Sequence, residues 1–218
     1  MSPDSFYTAR EERANYLSHA VGVIIAVIGS ILLLRKAIIA TNRWAIIAYA
    51  IFSFGMVICM LVSTTYHFVQ QPTRKKQLRH LDHASIYLLI AASYSPFTLI
   101  LLRQTRFWGW LLFGLVWITA VVGISTSFGE LKKNSHPKTI SYVLMGLVVF
   151  IAFKPLVNTA SEKNCIEMVW WLIAGGVFYI VGAVIYATAK REFVHTIFHV
   201  FVLFGLISHI ISAYLIPV

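Results

Sequence analysis

Long uncharged apolar stretches recur along this chain and constrain its fold more than any other feature. About 20 consecutive apolar residues cross the hydrocarbon core of a bilayer as one α-helix. Seven such stretches can be counted, at about residues 16–34, 44–68, 81–102, 107–128, 140–153, 168–189 and 196–216. The composition agrees, with 59% hydrophobic residues, 12% charged residues and a mean hydropathy of +0.78. The sequence therefore predicts a single all-α domain over residues 1–218, a bundle of seven transmembrane helices.

Basic residues are divided unevenly between the two ends of these stretches. Of the 18 lysines and arginines, eleven fall on the side of the N-terminus and seven on the other side. Because loops rich in lysine and arginine remain in the cytoplasm, we expect the N-terminus inside, with residues 1–15 as a cytoplasmic segment, and the C-terminus outside. This explains the formal net charge of +10 without a nucleic-acid partner. The short loops suggest a protein of the bacterial cytoplasmic (inner) membrane.

Two histidines four residues apart, His195 and His199, open the seventh stretch. On a helix this spacing places both imidazoles on one face, so that both can bind the same ion. His67 ends the second stretch and falls on the same side of the membrane. Three neutral imidazoles suit Zn²⁺ better than Mg²⁺ or Ca²⁺, and they leave one tetrahedral position open for water. We therefore predict a zinc site formed by His67, His195 and His199.

Asp82, at the start of the third stretch, is the acidic residue that we expect closest to the core, since the other seven fall in terminal or loop segments. A carboxylate at this depth is costly unless it is paired or solvated, so Asp82 is a functional candidate. The alternative is a helix cap partnered by Arg79. Asp82 would hold the water or accept its proton, and Ser63, one turn before His67, would support it or stabilise an oxyanion. These two are the predicted catalytic residues.

Three further polar residues at the same end are expected to line the site. Asn15 and His19 are four residues apart and share one face at the start of the first stretch, and His83 follows Asp82 directly. The alternative for the first pair is a helix N-cap by Asn15 and a hydrogen bond between His19 and a neighbouring helix. A cavity open to the cytoplasmic side would admit a membrane lipid. The expected reaction is hydrolysis of an ester or amide bond in that lipid.

Taken together, these residues resemble the progestin and adiponectin receptor superfamily. The matching set is Glu12, Asn15 and His19, then Ser63, His67 and Asp82, then His195 and His199. The local sequences LDHASIY at 81–87 and HTIFHVFV at 195–202 are similar to the bacterial haemolysin III branch of that superfamily. The resemblance covers nearly the entire chain.

This resemblance implies a zinc ion near the cytoplasmic leaflet, bound by His67, His195 and His199, with Asp82 contacting its water. Resemblance to the receptor branch implies hydrolysis of ceramide-like amides. Resemblance to the haemolysin III branch implies a role in membrane lipid homeostasis. Two alternatives remain open. The first is a pore-forming cytolysin or channel. The second is a sensor or receptor in which zinc stabilises the helices without catalysis.

Overall fold

The fold is a bundle of helices, seen in a computed structural model that describes residues 7–105, 107–129, 136–189 and 191–218. The helices in chain order are α1 (Ala9–Ile39), α2 (Arg43–Phe68), α3 (Pro72–Pro96), α4 (Trp108–Ser127), α5 (His136–Leu147), α6 (Phe153–Glu162), α7 (Glu167–Thr188) and α8 (Val194–Leu215). Among the described residues, seven helical segments are long and apolar enough to cross a membrane, with α5 and α6 forming one crossing at Pro137–Glu162. No strand occurs within the described ranges. The predicted all-α, seven-helix architecture is confirmed.

Helix α1 begins two turns before the first apolar stretch. Thr8 caps it: the Thr8 hydroxyl accepts from the Glu11 N–H at 3.2 Å, and the Glu11 carboxylate accepts from the Thr8 N–H at 2.8 Å. This reciprocal capping box satisfies free N–H groups at the helix start. The alternative in which Asn15 caps the helix is therefore wrong, and residues 9–15 continue directly into the first crossing.

Helix α3 likewise begins at Pro72, nine residues before its apolar stretch, because proline is well suited to the first position of a helix. Asp82 lies in the third turn, so the alternative in which it caps the helix is wrong. At the other end, Pro96 is followed by a π-helical stretch at Phe97–Leu101, an irregularity of the kind that proline introduces into a helix. The Thr98 hydroxyl donates to the Tyr94 carbonyl there at 3.0 Å.

The fifth crossing continues past its predicted end and is interrupted between α5 and α6. A 3-10 stretch occupies Val148–Ala152, and Pro155 then falls in the first turn of α6, where its missing N–H is not needed. The Tyr94 hydroxyl of α3 forms hydrogen bonds with backbone groups at this interruption. It accepts from the Val149 N–H at 3.0 Å and donates to the Gly146 carbonyl at 2.6 Å. Irregular backbone at membrane depth is thus satisfied by protein groups.

Helices α1, α2 and α8 share one of two apolar cores, and this core positions the site. Gly22 of α1 lies so close to its neighbours that a Cβ there would be 2.6 Å from Met60 Sδ of α2 and 2.8 Å from Leu203 Cδ2 of α8. A glycine at this point leaves room for the Met60 and Leu203 side chains, so α1 packs closely against α2 and α8. Consequently, the polar residues at the ends of these helices are brought into contact.

Candidate metal centre

The three predicted metal ligands lie at one end of the bundle because successive crossings run in opposite directions. His67 is the penultimate residue of α2, and His195 and His199 lie in the first two turns of α8. Phe193, immediately before α8, has a left-handed backbone with φ of 62°, and its N–H donates to the Glu11 carboxylate of α1 at 3.1 Å. The start of α8 is therefore fastened beside the start of α1.

The three imidazoles converge through their Nε2 atoms. Nε2 of His195 lies 3.2 Å from Nε2 of His67 and 3.0 Å from Nε2 of His199. The ligand atoms of all three residues lie within 4.8 Å of one another. Imidazole nitrogens that bind one tetrahedral zinc ion are about 3.4 Å apart, so the observed spacing fits a shared ion. The predicted group does come together, and it could hold a metal ion.

The hydrogen bonds of the Nδ1 atoms, which point away from the group, show which imidazole nitrogens carry a free lone pair. His199 Nδ1 lies 3.3 Å from the Asn15 carbonyl and 3.0 Å from Ser18 Oγ, whose own proton goes to that carbonyl at 2.8 Å. Both partners therefore accept, and His199 carries its proton on Nδ1. His67 Nδ1 contacts a carboxylate. When His67 and His199 are neutral, the lone pairs on both of their Nε2 atoms face Nε2 of His195. That nitrogen carries at most one proton, so it can donate a hydrogen bond to only one of them. A cation would satisfy this donor-poor group.

Asn15 and His19 of α1 lie beside this group. Asn15 is fully buried, and its Oδ1 accepts from the Thr196 hydroxyl of α8 at 2.6 Å. The His19 ring packs edge-on against the His199 ring, with centroids 3.7 Å apart. Among the described residues, neither ring nitrogen of His19 has a hydrogen-bond partner, nor has Asn15 Nδ2. These buried polar atoms have unused capacity to bind a ligand beside the imidazoles.

The other predicted site residues lie outside the group of converging nitrogens. Asp82 is half-buried on α3, and its carboxylate does not belong to the set of ligand atoms within 4.8 Å. Ser63 is buried on α2, one turn before His67. His83 faces α5 instead, where its Nδ1 lies 3.1 Å from the Tyr142 hydroxyl. The catalytic roles of Asp82 and Ser63 remain predictions.

The expectation that Asp82 is the acidic residue closest to the core is wrong, because Glu12 is more deeply buried. Its side chain is 4% exposed, and Oε2 lies 2.7 Å from His67 Nδ1. Hydropathy places residue 12 outside the first crossing, whereas the helix already includes it. The available signal was its spacing: Glu12 is seven residues before His19 and so falls on the same face of a helix.

Tyr7 packs against two of the three histidines, His67 and His195. Its ring stacks on His195, with centroids 4.8 Å apart, and tilts against His67 at 5.8 Å. Burial, and secondly the neighbouring Tyr186 phenol, raise the pKa of Tyr7 well above its ordinary value. The phenol is therefore neutral at physiological pH. It shields the imidazoles from water without adding charge.

Comparison with known proteins identifies the family. A family model described as haemolysin-III related matches residues 7–210. Hemolysin-3 of Bacillus cereus is 34% identical over 196 residues, covering 90% of this chain and 87% of that protein. The Hemolysin-3 homolog of Bacillus subtilis (strain 168) is 34% identical over 199 residues, covering 91% of each chain. Human monocyte to macrophage differentiation factor is 29% identical over 203 residues, covering 89% and 79%. The chain therefore belongs to the haemolysin-III-related family, within the progestin and adiponectin receptor superfamily.

Proposed function

We propose that this protein is a zinc-dependent hydrolase that cleaves the ester or ceramide-like amide bond of a membrane lipid. The observation that carries the proposal is the convergence of three Nε2 atoms on one point, with the Nδ1 atoms of His67 and His199 already engaged elsewhere. Three imidazoles leave one position of a tetrahedral zinc ion free, as in catalytic rather than structural sites.

The residues divide the chemistry between them. His67, His195 and His199 hold the zinc ion, which lowers the pKa of water to about 7 and polarises a carbonyl when bound. Asp82 orients the attacking water and accepts its proton as the new carbon–oxygen bond forms, then returns the proton to the departing amine or alcohol. Ser63 stabilises the negative charge that develops on the carbonyl oxygen.

The site is proposed to face the cytoplasmic leaflet of a bacterial cytoplasmic membrane, with the N-terminus inside and the C-terminus outside. The excess of lysine and arginine at the histidine end of the bundle supports this orientation, and the two Bacillus relatives support the bacterial membrane. A lipid in that leaflet would present its ester or amide bond near the headgroup, at the depth of the helix ends. Membrane lipid homeostasis is the proposed role.

Lipid turnover by the full-length protein in vesicles tests the hydrolase proposal. The vesicles carry a fluorescent ceramide or a fluorescent ester lipid, and release of the fatty acid is measured. We expect Asp82→Asn to lower the rate by about 10²- to 10⁴-fold while the zinc content is kept. Glu167→Gln, at the opposite end of the bundle, is the matched control. Equal turnover in wild type, chelator-treated protein and Asp82→Asn would refute the proposal.

A pore-forming cytolysin or channel is the second candidate, because the two Bacillus relatives carry the Hemolysin-3 name. This candidate predicts release of a trapped dye or ion from vesicles that contain the purified protein, whether or not lipid is cleaved. A zinc-stabilised sensor predicts neither result. Flux and turnover measured on the same vesicles therefore separate the three functions.

A further inference from the structure

Glu12 places a carboxylate inside the bundle, and each of its oxygens is used by a different helix. Oε2 lies 2.7 Å from His67 Nδ1 of α2, and Oε1 lies 2.9 Å from Lys75 Nζ of α3. A buried carboxylate is costly unless it is paired and hydrogen-bonded. The position of Glu12 is therefore determined by these two partners together.

Lys75 is held in place by backbone as well as by Glu12. Its ammonium donates to the Tyr66 and Val69 carbonyls, both at 3.1 Å, at the end of α2. The last carbonyls of a helix lack partners within the helix, and a cation is favoured there. The Glu12 carboxylate adds an ion pair, with Oε1 2.9 Å from the ammonium nitrogen. Lys75 thus fixes the carboxylate relative to the same helix end that carries His67.

This arrangement selects one form of the His67 ring. A carboxylate paired with Lys75 accepts, so the Nδ1 of His67 must donate and its neutral ring has a free lone pair on Nε2. That Nε2 is the atom that faces His195 at 3.2 Å. Without Glu12, the ring could carry its proton on Nε2 and donate to His195 instead. In that form the Nε2 of His67 has no free lone pair for a metal ion.

We propose that Glu12 is a positioning residue for the metal site, which orients His67 and keeps its Nε2 free, and that Lys75 holds Glu12 in this role. This inference rests on the zinc site proposed above. Carboxylates behind metal-binding histidines typically contribute about 10- to 100-fold to metal affinity. Helix α1 supplies none of the three imidazoles. Through Glu12, it would nevertheless control their affinity for zinc.

Zinc affinity of the full-length purified protein, measured by competition with a chelating dye, tests the proposal. Glu12→Gln keeps the size of the side chain but turns an amide N–H toward either His67 or Lys75, so we expect affinity to fall about 10- to 100-fold. Glu12→Asp, which keeps the charge, should recover part of the loss. Glu11→Gln is the matched control, because Glu11 is its buried neighbour and contacts Thr8 and Phe193 rather than a metal ligand.

A second measurement separates positioning from a general loss of structure. Nitrogen-15 NMR of the metal-free protein reports which ring nitrogen of each histidine carries the proton. We expect His67 to be protonated on Nδ1 in wild type and in Glu11→Gln, and to lose this preference in Glu12→Gln. Unchanged affinity and an unchanged His67 ring in Glu12→Gln would overturn the inference and leave the zinc site intact. A wild type that binds no zinc would refute the proposed function, and the His67 ring form alone would then decide the role of Glu12.

Discussion

Replacing His199 with alanine is the most direct test of the metal centre. His199 supplies one of three converging nitrogens. Zinc sites with four protein ligands bind with about 10–16 kcal/mol, so one ligand accounts for about 3 kcal/mol, which corresponds to a loss in affinity of about 10²-fold. The fold should tolerate the change. The Asn15 carbonyl loses its hydrogen bond from His199 but still accepts one from the Ser18 hydroxyl. We expect about one zinc ion per wild-type chain, by analogy with three-histidine sites, and little in the variant after desalting.

Elemental analysis and thermal unfolding with added zinc measure the two consequences. At a free zinc concentration of 100 times the wild-type Kd, binding stabilises the native state by about 2.7 kcal/mol, whereas a 10²-fold weaker variant gains about 0.4 kcal/mol. His209→Ala is the control, since His209 is buried on the same helix but packs against Tyr179, with ring centroids 5.3 Å apart. A folded His199→Ala protein with wild-type zinc affinity would refute the shared site. An equal loss in His209→Ala would also refute it.

Three further predictions concern the bundle. Gly175→Ala would place a Cβ against the His209 ring with too little space, so we expect a loss of about 1–3 kcal/mol in thermal unfolding, whereas the adjacent Gly176→Ala, with nothing within 4 Å, should cost nothing. Tyr94→Phe removes the partner of the Val149 N–H and should cost about 1–2 kcal/mol, and an unchanged melting temperature would contradict this. A protease-cleavable tag at the N-terminus should be protected in intact cells and one at the C-terminus accessible. The reverse pattern would overturn the orientation.

The histidines show how far sequence reasoning reaches at the site. The spacing of His195 and His199 defines one helix face, and the order of the crossings brings His67 to the same end. The sequence could not indicate which nitrogen of each ring points inward, because that depends on contacts from α1. The Asn15 carbonyl and the Glu12 carboxylate make these contacts. They arise when helices far apart in the chain pack together.

The errors in the sequence-based boundaries have one physical cause. Hydropathy detects residues that prefer lipid, so it misses helical turns made of polar and charged residues. The first turns of α1 and α3 are of this kind and carry Glu12 and Lys75. Treating residue 12 as part of a terminal segment therefore left Glu12 without a role at the site, although it belongs to the set of residues that resembles the family.

The sequence by itself determined the all-helical fold, the number of crossings and the three imidazoles, because lipid permits only long apolar helices and because helical spacing is fixed by covalent geometry. Tertiary structure decided the rest of the site. The close approach of α1 to α2 and α8 at Gly22 buries Glu12 beside His67, and Lys75 compensates its charge. A buried charge is stable only where partners from other helices converge, and no local pattern in the sequence specifies that convergence.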